Sequence, residues 1–237
     1  MENFFLILAI FLGFFVQSIF GFAASLITFP IILQSNDLIF ANGVMSIYYF
    51  VFSIILVTKN FKNIDKKIVS KLTIGALLGT IFGVYILQYG NPIFLKKCLG
   101  IFILFYVGYS FFTKKKIKIL KKLGFVLGFL GGFFSGVFSA GGPFLVTYIY
   151  NKIDNPKKIR ATIIGILGVM NFFRFFVFLQ KNILTTEIIN KFFVGLPFFL
   201  LALFLGQKIH DKINIKLFNK FLLFLLFLSG MFVFIKF

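Results

Sequence analysis

Residues 11–29 read FLGFFVQSIFGFAASLITF, and residues 129–147 read FLGGFFSGVFSAGGPFLVT. Aligned without gaps at an offset of 118, they share Phe11/Phe129, Leu12/Leu130, Gly13/Gly131, Phe15/Phe133 and Phe20/Phe138. The offset is almost half of the 237-residue chain. Each copy is an apolar stretch punctuated by glycine, the pattern of discontinuous membrane segments at a transport site. The expectation is a small membrane transporter built by duplication.

Composition agrees. The chain is 60% hydrophobic with a mean hydropathy of +1.03, far outside the soluble range. Asn3–Asn36 carries no charge for 34 positions and Leu123–Tyr150 none for 28. Ile39–Thr58, Leu72–Gly90 and Ala161–Gln180 form further apolar runs, the last with one arginine. Shorter apolar cores lie at Cys98–Thr113, Phe192–Gln207 and Phe221–Ile235, and each needs its flanking lysines to snorkel. About 20 helical residues cross a hydrocarbon core of roughly 30 Å. The expected fold is therefore all-α and polytopic, with about eight membrane segments in two repeats of four, residues 1–122 and 123–237. The first segment of each repeat is broken or re-entrant.

The net charge of +19 would suggest nucleic acid in a soluble protein. Here the lysines lie in the short connections, so the charge reads as topology and no nucleic-acid partner is expected. If all eight regions simply crossed, the alternating faces would hold 14 and 10 basic residues. If both repeated segments enter and return on one face, the connections sort as 19 against 5. An asymmetry of that size favours re-entry, with both termini outside and the two halves inverted. The start, Met1-Glu2-Asn3, lacks a basic n-region and is read as the first membrane segment, not a signal peptide. The 41 phenylalanines read as lipid-facing and packing bulk, and with no Trp any interfacial belt falls to Tyr.

The acidic residues Glu2, Asp37, Asp65, Asp154, Glu187 and Asp211 all fall at segment ends or in loops. Proton relays and cation pathways in membranes use buried carboxylates or His, so an anionic or neutral substrate is favoured. One cysteine, Cys98, and one histidine, His210, disfavour a metal site, and no cofactor is expected. Serines are present, but no intramembrane His, Lys, Asp or Glu stands by to activate them, so an enzyme is not expected. The run Lys114–Lys116, Lys118, Lys121 and Lys122 reads as a solvated loop beside anionic headgroups.

Candidate substrate-binding residues follow from the breaks. In Ser135-Gly136-Val137-Phe138-Ser139-Ala140-Gly141-Gly142-Pro143 the glycines interrupt a helix, and Pro143 suits the first turn of a new one. A half-helix starting there aims backbone N–H groups and a positive dipole end at the break, with the Ser139 hydroxyl as a further donor. The other copy offers Gln17, Ser18, Gly21 and Ser25. The competing interpretation is that small residues only permit close helix packing. Arg174 is the one charge deep in an apolar run, seven residues and about 10 Å of rise before Lys181. It reads either as an anion-pairing residue, with Asn171 one turn earlier on the same face, or as an arginine snorkelling to the interface.

In those motifs the chain resembles the TauE/SafE-type sulfite and organosulfur-anion exporters. The matching parts are Gly13 through Phe22 leading to Pro30, and Gly131 through Leu145. Asn171 and Pro197 stand where that family tends to carry an asparagine and a proline. Two departures are Tyr148, in place of a proline, and Ala23-Ala24, where many relatives have glycines. The resemblance implies a multi-pass transporter in a bacterial plasma membrane, taking small anions such as sulfite or sulfoacetate. The alternative is a non-transporting membrane subunit of a larger assembly.

Overall fold

The computed structural model describes residues 2–112, 123–210 and 215–236, and their regular structure is wholly helical. The basic run at 114–122 and Asp211 lie outside the described residues. The first break divides α1 (Glu2–Phe20) from α2 (Ala24–Ile32), and the second divides α6 (Gly124–Phe138) from α7 (Gly142–Lys152). Both boundaries of the second break are those of the first displaced by 118 residues. At the equivalent positions Gly21 and Ser139 the backbone enters the left-handed region, with φ of +88° and +53°. Glycine tolerates this freely and serine at a cost.

Each break makes a hairpin. Gly13 of α1 faces Ala24 and Thr28 of α2, and Gly131 of α6 faces Gly141, the residue before α7, and Leu145 within it. Residues that far apart in sequence meet only because the second helix runs back along the first. The other helices are α3 (Leu38–Asn60, followed by a 3-10 turn at Phe61–Asn63), α4 (Lys66–Tyr89), α5 (Pro92–Phe112), α8 (Pro156–Gln180), α9 (Thr186–His210) and α10 (Ile215–Lys236).

Among the described residues six helices are long and apolar enough to cross a membrane, and Gly124–Phe138 and Leu226–Lys236 are shorter apolar helices. Large side chains such as Ile74, Phe105 and Ile235 are exposed, as a lipid-facing surface requires. The core gathers around Phe14, whose ring meets those of Tyr48, Tyr49, Phe52 and Phe199.

Several helices begin earlier than the apolar runs suggested. α4 starts at Lys66 rather than Leu72, α5 at Pro92 rather than Cys98, and α9 at Thr186 rather than Phe192. Capping sets these ends: Asp65, Asn91 and Thr185 accept the backbone N–H groups of Ile68, Phe94 and Ile188 at the starts of α4, α5 and α9. The lysines and Glu187 then occupy first turns instead of loops. His210 closes α9.

Polar contacts sort the helix ends into two groups. Lys191 Nζ donates to Asn3 Oδ1 at 2.7 Å, and Lys236 Nζ to the Gln34 carbonyl at 3.4 Å. At the other end Lys59 Nζ donates to Gln207 Oε1 at 3.2 Å, and Lys158 pairs with Asp65 at 3.2 Å.

The packing is interleaved. α4 packs on α6 and α9 on α1, so the first helix of each half lies against a helix of the other half. Gly83 of α4 abuts the Phe133 carbonyl and Gly136, while Gly206 of α9 abuts the Phe15 carbonyl and Ser18. Phe15 and Phe133, and Ser18 and Gly136, are equivalents at the 118-residue offset. The α4/α6 contact is the closer one. Gly75, Gly79 and Gly83 interlock at four-residue spacing with Gly128, Gly132 and Gly136, which brings backbone against backbone.

Candidate functional site

The two breaks meet in the interior. Ser25 Oγ donates to the Ser139 carbonyl at 2.7 Å, and Gly142 packs against the Phe22 side chain. A small cavity lies at this junction, lined by residues of both breaks (Gln17, Ser25, Ser139 and Gly142 among them), with Tyr49 of α3 and Asn171 of α8. Its volume is about 10 Å³, room for about one water.

The two half-helix N-termini differ. At α2 the positions an anion would take are filled from within the chain: Gln17 Oε1 accepts Ala24 N–H at 2.9 Å, and the Tyr49 hydroxyl accepts Ser25 N–H at 2.9 Å. At α7 no side chain caps the first turn. The Ser139 hydroxyl is not the free donor expected from sequence, because it donates to Asn42 Oδ1 at 2.8 Å. Asn42 in turn donates to the Val137 carbonyl at 2.8 Å and the Leu38 carbonyl at 3.0 Å. This lattice of bonds holds the second break to α3 and fixes the unusual Ser139 backbone.

The sequence candidates separate accordingly. Gln17, Ser25, Ser139, Gly142 and Asn171 line the cavity. Gln17 is 1% exposed and its Nε2 has no hydrogen-bond partner. Ser18 instead faces α9 at Gly206, with its buried hydroxyl unpartnered. Gly21 supplies the turn and packs on Arg160 and Ile164, and Gly141 packs on the Gly131 carbonyl. Asn171 Nδ2 donates to Ser53 Oγ at 3.0 Å.

Arg174 is fully buried, so it does not snorkel. Its Nη1 donates to the Ser135 carbonyl at 2.8 Å and Oγ at 3.3 Å, while Nε and Nη2 have no partner. The guanidinium carbon lies 5.3 Å from the centre of the Tyr49 ring, a cavity wall, and 5.9 Å from that of Phe178.

Sequence reasoning missed Arg160, Asn42 and Tyr49. Arg160, half-buried in the first turns of α8, donates to the carbonyls of Ile19 (3.1 Å) and Ser18 at the end of α1. Arg174 does the same for Ser135 near the end of α6. One helix thus carries two arginines, about four turns apart, each meeting the negative end of one broken segment. The equivalent residues Gln17 and Ser135 face these tasks differently, one capping α2 and the other receiving Arg174.

Four of the six acidic residues are placed clear of the cavity: Asp37 and Asp65 cap helices, Glu187 opens α9, and Asp154 lies between α7 and α8. Among the described residues no group of His, Cys, Asp or Glu is arranged to hold a metal ion.

Compared with known proteins, residues 5–233 match the family model described as sulfite exporter TauE/SafE. Neither the curated proteins nor the solved structures yield a match.

Proposed function

The chain belongs to the sulfite exporter TauE/SafE family, and on that premise we propose that it exports small anions, sulfite or organosulfonates, through the junction of its two breaks. The observation that carries this is the meeting of Ser25 with Ser139, which puts two half-helix N-termini at one cavity. Such ends favour negative charge by about 0.3–1 kcal/mol each at exposed sites and up to about 2 kcal/mol when partly buried. The uncapped first turn of α7 offers amide hydrogens directly. At α2 the incoming anion replaces Gln17 Oε1 and the Tyr49 hydroxyl, which now hold its place.

A cavity of about 10 Å³ does not admit sulfite, so the breaks must separate during transport. The interleaved packing and the 118-residue equivalence support two inverted repeats, residues 1–122 and 123–237, rocking about that junction. The polar contacts at the helix ends agree with the 19-to-5 sorting of basic residues, which puts the Lys59 and Lys158 end in the cytoplasm of a bacterial cell.

Counterflow in proteoliposomes, run with sulfite, sulfate, thiosulfate and alkylsulfonates, tests the proposal. Exchange of at least one of these anions is expected, together with anion-dependent thermal stabilisation of the purified protein. Absence of both would favour a non-transporting membrane subunit.

A further inference from the structure

A groove of about 670 Å³ opens between α3, α4 and α8 and shares no residue with the break cavity. α3 and α4 follow one another through the turn at Phe61–Asn63, yet both pack on α8 far more than on each other. Val57 of α3, Val69 and Ile74 of α4, and Gly165 and Val169 of α8 line the gap that results. The hydroxyls beside them are already engaged: Ser70 Oγ donates to the Lys67 carbonyl at 3.1 Å, and Thr73 Oγ1 to the Val69 carbonyl at 2.8 Å. What the groove offers is therefore apolar surface. Ile74 is 66% exposed and Val169 36%, so it faces the bilayer sideways. Along α4 it runs from Lys66 to Ile74, about 12 Å of rise. That is less than half of a hydrocarbon core of roughly 30 Å, which suits an acyl chain of one leaflet and is too short for a spanning partner helix.

The mouth of the groove is basic. Lys66 Nζ stands 4.7 Å from the centre of the Phe61 ring, a contact that keeps the ammonium at the rim. Residues 59–71 carry five lysines, and the one carboxylate among them, Asp65, is already paired with Lys158 at 3.2 Å. We propose that the groove binds an anionic phospholipid of the cytoplasmic leaflet, with one acyl chain between α3 and α4 and the headgroup phosphate at Lys66. Charge selects the lipid, because each lysine near an anionic surface strengthens binding about fivefold. A zwitterionic headgroup brings an ammonium group that these lysines repel. The chain's own segment 114–122, with six lysines, would bring like charge to the same mouth, and so would a second copy docked through this face.

The test follows thermal unfolding of the full chain, stripped of lipid in mild detergent, as phosphatidylglycerol, phosphatidylcholine or inorganic phosphate is added. Phosphatidylglycerol at about 100 times its Kd should raise the melting temperature by about 5–10 °C, and the shift should shrink in high salt. Phosphatidylcholine at the same mole fraction, and inorganic phosphate, should each give a clearly smaller shift. Lys66→Gln should weaken phosphatidylglycerol binding about fivefold, whereas Lys181→Gln, at the far end of α8, should not. Val169→Trp and Ser70→Trp fill the groove from two different helices without altering charge. Either should abolish the shift, read against the variant's own lipid-free melting point. An equal shift with phosphatidylcholine, a full shift with inorganic phosphate alone, or a phosphatidylglycerol shift that survives groove filling overturns the lipid site. A groove-filling variant that splits a dimer and keeps the lipid shift names a second copy as the occupant and overturns it equally.

Discussion

Replacing Arg174 with glutamine removes a guanidinium that is 0% exposed and has two unpartnered nitrogens. The loss is the charge-assisted bond to the Ser135 carbonyl, about 1.5–3 kcal/mol. The gain is release from burying an arginine at membrane depth, about 2.5–3.5 kcal/mol on insertion scales. The terms largely cancel, so folding stability should change by about 2 kcal/mol or less, a melting shift within about 4–8 °C. Anion binding has no such compensation. Losing the attraction of a unit charge behind the Tyr49 wall of the cavity, on the order of 1–2 kcal/mol at an effective dielectric of about 20, should weaken it about 5- to 30-fold. Thermal unfolding in detergent and counterflow on the same Arg174→Gln preparation read the two quantities side by side. A variant that melts more than about 10 °C lower yet exchanges anions at the wild-type rate would make Arg174 a structural strut and refute the assignment.

Three further outcomes are expected. Gly132→Val should destabilise the protein by about 1–3 kcal/mol or more, because a Cβ there strikes the Ala76 backbone and forces α4 and α6 apart; an unchanged melting point would refute that close contact. Ala23→Gly should raise the melting temperature by an amount equivalent to about 1 kcal/mol, since Ala23 has a φ of +86°. Burial pushes the Asp65 carboxyl up, but the Ile68 N–H and Lys158 outweigh it and hold it below the usual carboxylate range. The stability it contributes is therefore present above its unfolded pKa and lost as pH falls through the lower folded value. Melting curves in acidic buffer should show this loss, and Asp65→Asn should show less of it.

The breaks were legible because both copies keep their phenylalanines and glycines in register, and helix interruption is a local property of Gly21, Ser139 and Pro143. The contacts of Gly13 with Thr28 and of Gly131 with Leu145 are compatible with the re-entry expected from charge. What stayed hidden depends on which helices become neighbours. Tyr49 and Asn42 sit in an ordinary apolar run and acquire roles only when α3 lies against both breaks. Arg160 looked like one more loop cation, because nothing local reveals that the end of α1 arrives beside it. The placement of Ser18 was hidden for the same reason: its face of α1 is claimed by Gly206 of α9. The early starts of α4, α5 and α9 were missed because a charge-free window ends where the first lysine stands, whereas a helix ends where its cap does.

The exchange of partners between halves constrains how the chain is made. α1 is synthesised well before its companion α9, with α2 to α8 between them. Until then the Phe15 and Ser18 face of α1 lacks the Gly206 surface it packs on. Membrane quality control therefore sees α1 without α9 while α2 to α8 are made, and a stop codon anywhere before α9 should yield a product cleared by proteolysis rather than a stable half-carrier. Two separately encoded fragments, split between α5 and α6, should by contrast rescue one another when made together.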